Sequence, residues 1–75
     1  MPGRIRRMAA PELESLLSRY GFVLISQKGS HRKWRHFTER RQVIVPYHGG
    51  RELPSGTLRT ILQTSGIPES EWRAE

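Results

Sequence analysis

The chain has 75 residues, with 13 Lys and Arg against seven Asp and Glu, which gives a formal net charge of +6 and a pI of about 11.1. We expect this length to form a single domain over residues 1–75, and the charge favours anionic partners such as nucleic acid, an acidic protein or a membrane surface. The absence of cysteine excludes disulfides and thiol chemistry, and because no segment approaches the roughly 20 apolar residues that cross a bilayer, we expect a cytoplasmic protein.

The beginning of the sequence predicts a basic lead followed by a helix. Residues 1–8 are cationic without apolar periodicity, so we expect a flexible lead there. Pro11 suits the first turn of a helix. Four apolar residues then share one helical stripe: Leu13, Leu16, Leu17 and Tyr20. Because glycine ends helices in the left-handed conformation without steric cost, Gly21 closes a predicted helix over residues 10–20.

Three short strands are predicted next. Residues 22–27 are rich in β-branched and aromatic side chains and too few for a helix of their own, so they predict the first strand. Lys28-Gly29-Ser30 has the composition of a hairpin turn and leads into a second strand over residues 31–37. A third strand over residues 42–45 ends at Pro46, because proline cannot donate a hydrogen bond to a sheet.

The second strand distributes its side chains unequally between its two faces. Strand alternation puts His31, Lys33, Arg35 and Phe37 on one face, and Arg32, Trp34 and His36 on the other. The first face is cationic and carries a histidine. Trp34 is the expected anchor of the second face, although alternation alone does not decide which face meets the helices.

The rest of the sequence predicts a loop, a second helix and a short helical turn. Residues 47–52 combine two glycines with charges, which is typical of a loop. Residues 54–65 predict a helix that ends at Gly66, and Pro68 begins a last helical turn. The apolar stripe of this helix is Leu58, Ile61 and Leu62. The order α-β-β-β-α predicts an α+β two-layer sandwich with a three-stranded antiparallel sheet, as in double-stranded-RNA-binding domains.

His31 is the candidate catalytic residue. With a reference pKa of about 6.5, histidine can both take and give a proton near neutral pH, so His31 can deprotonate a ribose 2′-hydroxyl or protonate a leaving 5′-oxygen. The cations around it suit a polyanion such as RNA. The candidate RNA-binding residues are Lys28, Gly29, Ser30, Arg32, Lys33 and Arg35. Efficient cleavage needs a second proton-transfer group, for which His48 is the candidate.

A role outside catalysis stays open for these residues. Lysines on an exposed strand edge also prevent aggregation, and a histidine at a strand end can lack any role. His31, His36 and His48 are separated by 5 and 12 residues, which fits no standard zinc arrangement. Because no cysteine or carboxylate cluster completes a metal shell, we expect no metal and no cofactor.

An ordered series of short motifs runs along most of the chain. It comprises Tyr20-Gly21-Phe22-Val23-Leu24, Gln27-Lys28-Gly29-Ser30-His31, Val43-Ile44-Val45-Pro46, His48, Glu52-Leu53, Gly56-Thr57-Leu58-Arg59-Thr60-Ile61-Leu62 and Gly66-Ile67. In this series the chain resembles the bacterial HicA toxins, the mRNA-interferase halves of a type II toxin–antitoxin pair. The resemblance covers about residues 10–73, and Gly29-Ser30-His31 followed by Gly56-Thr57-Leu58-Arg59 is its most specific part.

The resemblance implies a double-stranded-RNA-binding-like fold and cleavage of mRNA without the ribosome or a metal. It also implies neutralisation by a HicB-like antitoxin, which we expect to be acidic, to cover the active site and to carry the DNA-binding part, so that the toxin does not bind DNA directly. The catalytic histidine of the family falls on His31. The chain departs from the family pattern in a lead through Met8 that is longer than in the shortest relatives, and in Trp34, where another large residue is common.

Two alternatives to an active nuclease stay open, a non-catalytic double-stranded-RNA-binding module and an inactive toxin homologue that only binds antitoxin. A dedicated duplex binder concentrates lysines at the start of its final helix. Residues 53–58 contain no lysine, and the cations lie instead around His31. This distribution favours the nuclease.

Overall fold

Two helices cover one face of a three-stranded sheet in the computed structural model, which describes residues 4–74. In chain order the elements are α1 (Ala10–Arg19), β1 (Val23–Lys28), β2 (His31–His36), β3 (Arg41–Pro46), α2 (Ser55–Ser65) and a 3₁₀ turn (Glu69–Glu71). The predicted α+β class and the order α-β-β-β-α are confirmed. The ends of the helices and strands differ from the predicted ones by at most one residue.

The junction between α1 and β1 is built around Gly21. Its φ of 91° lies in the left-handed region, and the next N–H, that of Phe22, donates to the Leu17 carbonyl at 3.0 Å. A Cβ at this position would also lie only 2.7 Å from Nε2 of His36. Glycine is therefore required both by the backbone conformation and by the close approach of a β2 side chain.

The sheet is antiparallel, with β2 in the centre and β1 and β3 at its edges. His31, the first residue of β2, is paired with Lys28 on β1 and with Pro46 on β3. A register shift between Leu24 and Ser26 interrupts the β1–β2 ladder. Such a bulge bends an edge strand and weakens its ability to pair with another strand.

The core lies between the helices and the inner face of the sheet. The apolar stripes predicted for both helices are buried there: Leu13, Leu16 and Leu17 of α1, and Leu58, Ile61 and Leu62 of α2. Trp34 is 8% exposed and brings β2 into the same cluster. The face of β2 that carries Trp34 therefore meets the helices, and the face that carries His31 is turned away from them.

A buried carboxylate joins α1 to β2. Glu14 is 7% exposed, and its Oε2 accepts hydrogen bonds from Arg32 Nε at 2.7 Å and from Trp34 Nε1 at 2.8 Å. A carboxylate removed from water needs such donors to offset the cost of its burial. The central strand is therefore fixed against α1 by polar contacts as well as by packing.

The basic N-terminal segment differs from the flexible lead that the sequence predicts. Met8 is 1% exposed and lies in the core. Its carbonyl accepts a hydrogen bond from the Leu53 N–H at 2.9 Å, and Ile5 forms an antiparallel bridge with Arg73. Residues 4–8 are thus part of the fold, because they pair with distant parts of the chain that no local pattern reveals. The remainder of the predicted lead lies outside the described residues.

The chain after α2 closes the far end of the core. Trp72 is 2% exposed, and its Nε1 donates to the Ile67 carbonyl at 2.9 Å. The Tyr20 hydroxyl donates to Glu71 Oε2 at 2.7 Å. This hydrogen bond raises the pKa of Tyr20 above its ordinary value of 10.0. The 3₁₀ turn is therefore tied to the end of α1.

Candidate active site on the open face of the sheet

A two-residue turn presents His31 at the start of β2. Lys28 and His31 are paired across the β1–β2 hairpin, so Gly29 and Ser30 form its turn. Gly29 has a φ of 60°, as the first central residue of a type II′ turn requires. The Ser30 carbonyl accepts a hydrogen bond from the Tyr47 N–H at 2.6 Å. The predicted hairpin is confirmed, and its turn is tied to the chain that follows β3.

The outer face of β2 carries the histidine and two cations. His31, Lys33 and Arg35 occupy alternate positions on β2, on the opposite side from buried Trp34. Successive members of this row are about 7 Å apart along the strand. Lys28 lies across from His31 on β1. The structure therefore brings four of the residues singled out in the sequence onto one face.

Arg35 is held on this face by an aromatic ring. Its guanidinium carbon lies 5.3 Å from the centre of the Phe37 ring, within the range of a cation–π contact. Its Nε is buried and has no hydrogen-bond acceptor among the described residues. Arg35 is therefore positioned by the fold while part of its donor capacity is left unused.

Arg32, grouped by the sequence with the other cations, lies on the inner side of the sheet. Its Nε donates to Glu14 at 2.7 Å and its Nη1 donates to Gln27 Oε1 at 3.1 Å. The guanidinium also lies 4.7 Å from the centre of the Tyr47 ring. The structure separates Arg32 from the outer-face cations and engages two of its three side-chain nitrogens within the protein.

The His31 imidazole is free to meet a ligand. His31 is exposed, and neither ring nitrogen makes a hydrogen bond to another residue within 4–74. An imidazole without a fixed partner can exchange a proton with a bound molecule. In the same part of the chain, no three or more His, Cys, Asp or Glu side chains are grouped so that they could hold a metal ion.

A cleft of about 400 Å³ adjoins the same end of the sheet. Pro46, which pairs with His31, lines this cleft together with His48 and Arg51 from the following loop. His48 is exposed and stays a predicted second proton-transfer group. Sequence reasoning missed Arg51, whose only signal was a positive charge in a glycine-containing loop.

His36 lies at the opposite end of β2 from His31, on the inner face. Its Nδ1 accepts a hydrogen bond from the Glu39 N–H at 3.0 Å, and its ring meets the Phe22 ring edge-on with the centroids 5.3 Å apart. It lines a separate cavity of about 280 Å³. These contacts give His36 a place in the packing of the protein and keep it apart from the outer-face cluster.

Apolar side chains surround the outer-face cations. Val23 and Ile44 are 47% and 44% exposed, and Phe37, whose ring lies against Arg35, is 63% exposed. Val23 is paired with Arg35, which places it on the outer face. Exposed apolar side chains gathered on one face mark a surface for contact with another macromolecule. The open face of the sheet thus combines positive charge with uncovered apolar area.

Comparisons with known proteins connect this geometry to one protein family. Neither helix within residues 4–74 has the length and apolar character needed to span a membrane. No curated protein matches the chain. Residues 10–67 match the family model described as "HicA toxin of bacterial toxin-antitoxin", and this range includes both helices, all three strands and the His31 hairpin. The chain therefore belongs to the HicA family of toxins from bacterial toxin–antitoxin systems.

Proposed function

We propose that the chain is an endoribonuclease toxin that cleaves mRNA in the cytoplasm, with His31 as a general acid or base. The observation that carries this proposal is the exposed imidazole, unpartnered within residues 4–74, on a face that also presents Lys28, Lys33 and Arg35. The family provides the setting of a toxin restrained by an antitoxin. A nuclease directed at mRNA accounts for both the toxicity and the charge.

The cleavage step uses the ribose 2′-hydroxyl of the substrate as the nucleophile. His31 accepts its proton, the 2′-oxygen attacks the adjacent phosphorus, and the bond to the 5′-oxygen breaks. The products are a 2′,3′-cyclic phosphate and a 5′-hydroxyl end. In the opposite assignment, protonated His31 gives its proton to the leaving 5′-oxygen. His48 is the candidate for the other proton transfer, and no metal takes part.

The neighbouring cations stabilise the charge that develops on the phosphate. Lys33 and Arg35 project from the same strand face as His31, and Lys28 lies across the hairpin. Positive groups preorganised beside the scissile bond act most strongly where charge appears in the transition state. At Gly29 a Cβ would have no atom within 4 Å, so the turn leaves open space beside His31 for the substrate.

The proposed function is tested by measuring RNA cleavage in the absence of free metal ions. Purified chain incubated with a long RNA in the presence of EDTA is expected to produce shortened fragments, whose cyclic phosphate ends are detected by mass spectrometry. RNA that stays intact but migrates as a retarded complex contradicts the proposal. That result supports instead a non-catalytic double-stranded-RNA-binding module.

We infer that the restraining partner is a HicB-like acidic protein that docks on the face carrying His31. A protein interface combines an apolar centre with complementary charge. The outer face of the sheet offers both, in Val23 and Ile44 beside Lys33 and Arg35. An antitoxin seated there blocks access to the imidazole. Contact with DNA is then made by the antitoxin.

Charge reversal on this face tests the docking site. The Lys33→Glu, Arg35→Glu variant is expected to bind the antitoxin at least about tenfold more weakly, because it replaces attraction by repulsion at the centre of the surface. Isothermal titration with the cognate antitoxin measures the change. The matched control is Arg4→Glu, Arg59→Glu, which makes the same change in net charge at exposed arginines beside the start of α2, away from this face. Equal affinities of the two double variants would count against the assignment.

A further inference from the structure

A second group of cations, which the proposed mechanism does not use, lies at the N-terminal end of α2. Arg4, Arg7 and Arg59 line a cleft of about 290 Å³ together with Ile5 and Ser55. All three arginines are exposed. We call this site the arginine cleft.

The arginine cleft is formed by two segments that are far apart in the sequence, residues 4–7 and the start of α2. The N-terminal segment is held in place by the bridge between Ile5 and Arg73, and by a second bridge between Ala9 and Glu52 just before α2. These pairings fix two arginines of the lead beside Arg59, which lies in the second turn of α2. Residues 4–8 are therefore positioned to contribute charge to a site.

The positive charge of the arginine cleft is largely unneutralised. Arg4 and Arg59 make no ion pair or side-chain hydrogen bond to any residue in the part of the chain that the structure describes. Arg7 lies 3.7 Å from Glu52, but both side chains are well exposed, at 82% and 56%, and such a pair contributes little. The first turn of α2 carries no acidic residue. An anionic ligand would thus meet three available guanidinium groups.

The chemistry of the arginine cleft favours a phosphate backbone over a protein surface. Guanidinium groups present planar pairs of donors that match phosphate oxygens. Nucleic-acid interfaces are polar and strongly cationic, whereas protein interfaces have an apolar centre. Among the described residues that line the cleft, Ile5 is the only apolar one, and it is already partly packed against the core. The exposed apolar side chains of Val23 and Ile44 lie elsewhere, on the outer face of the sheet.

The cleft beside β3 has a contact with each of the two sites: its Pro46 pairs with His31, and its Glu52 forms an ion pair with Arg7 of the arginine cleft. That cleft is also lined by Pro54 and Thr57, at the start of α2. Ser55, between these last two, lines the arginine cleft. A chain of nucleotides leaving His31 in this direction would pass Arg51 before reaching the three arginines.

We propose that the arginine cleft is a second phosphate-binding surface, which holds the backbone of an RNA strand whose scissile bond lies at His31. The inference rests on the proposed action on RNA. It also places cations at the start of the final helix, the position at which a dedicated duplex binder concentrates lysines and at which residues 53–58 carry none. Arg59 and two arginines from the N-terminal lead take that position instead.

The test compares the salt dependence of RNA binding in two variants of equal net charge. Both are made in the full chain carrying His31→Ala, so that cleavage does not interfere, and fluorescence anisotropy with a labelled oligouridylate measures binding. Arg4→Gln, Arg59→Gln removes two charges from the arginine cleft. Arg19→Gln, Arg40→Gln removes two charges outside it. Circular dichroism on each protein shows that the fold is retained.

The arginine-cleft variant is expected to bind several-fold more weakly than the His31→Ala parent. The negative slope of log K against log salt concentration should become shallower by about 1.4, since each of the two lost phosphate contacts to a single strand contributes about −0.7. The control should keep the slope of the parent. The proposal is overturned if both variants lose RNA affinity equally, or if neither loses it. It is also overturned if the arginine-cleft variant loses affinity for the antitoxin but not for RNA.

Cleavage by the unmodified chain separates this inference from the proposed function. If the unmodified chain leaves RNA intact while the two double variants differ as expected, the phosphate-binding surface is supported and the nuclease assignment falls. If the unmodified chain cuts RNA while the two variants bind alike, the nuclease assignment stands and the arginine cleft is excluded as a binding surface.

Discussion

Replacing His31 by alanine is expected to lower the rate of RNA cleavage by about 10²–10⁴-fold, the usual contribution of a positioned acid or base. The remaining cations would still bind RNA, so the loss should appear in kcat with a much smaller change in KM. Single-turnover cleavage of a labelled RNA, at saturating protein, measures the chemical step directly.

The same substitution should leave the stability of the protein almost unchanged. The His31 ring is exposed and makes no hydrogen bond within residues 4–74, and surface substitutions of this kind usually alter the free energy of unfolding by less than about 0.5 kcal/mol. Thermal unfolding therefore separates a lost catalyst from a damaged fold. A His31→Ala protein that cuts RNA at the parental rate, with an intact fold, would remove His31 from the mechanism.

His48→Ala is the informative companion to this experiment. His48 lies in the loop after β3 and lines the cleft that begins at the strand partner of His31. If it supplies the second proton transfer, its removal should lower kcat and flatten one limb of the pH–rate profile. If cleavage is unchanged, the second proton moves through solvent or through another group.

The elements of the fold are predictable because each is specified by a local signal. The spacing of Leu13, Leu16 and Leu17 defines the buried face of α1, and Gly21 and Gly66 end the two helices in the left-handed conformation. Strand alternation places His31 and Lys33 on one side. The burial of Trp34 decides which side faces the helices.

Contacts between distant segments are what the sequence does not reveal. Arg32 is a sequence neighbour of the outer-face cations, yet its partner Glu14 lies 18 residues earlier on another element. A weak signal does exist, since Glu14 directly follows Leu13 and precedes Leu17 by about one helical turn. The packed N-terminal segment gives no such signal, because its pairing with Arg73 joins opposite ends of the described chain.

Glu14→Ala is expected to destabilise the protein by about 3 kcal/mol, a larger stability change than any other substitution considered for this chain. It removes the acceptor for both Arg32 Nε and Trp34 Nε1 and leaves a partly buried guanidinium without its counter-charge. For a chain of this size the total free energy of unfolding is roughly 4–11 kcal/mol, so the loss is a large fraction of it. Urea denaturation should show a lower midpoint with an unchanged m value.

Glu39→Ala is the matched control, because it removes a carboxylate from the exposed turn between β2 and β3 and should change the free energy of unfolding by no more than about 0.5 kcal/mol. If the two variants are equally stable, the Glu14 carboxylate does not join the layers. A double-mutant cycle with Arg32→Ala then measures the interaction energy between Glu14 and Arg32.

Glu14 contacts β2 on the inner face of the sheet, opposite His31. Glu14→Ala should therefore retain RNA cleavage at temperatures where it stays folded. A loss of cleavage in the folded variant would mean that this contact also sets the position of His31.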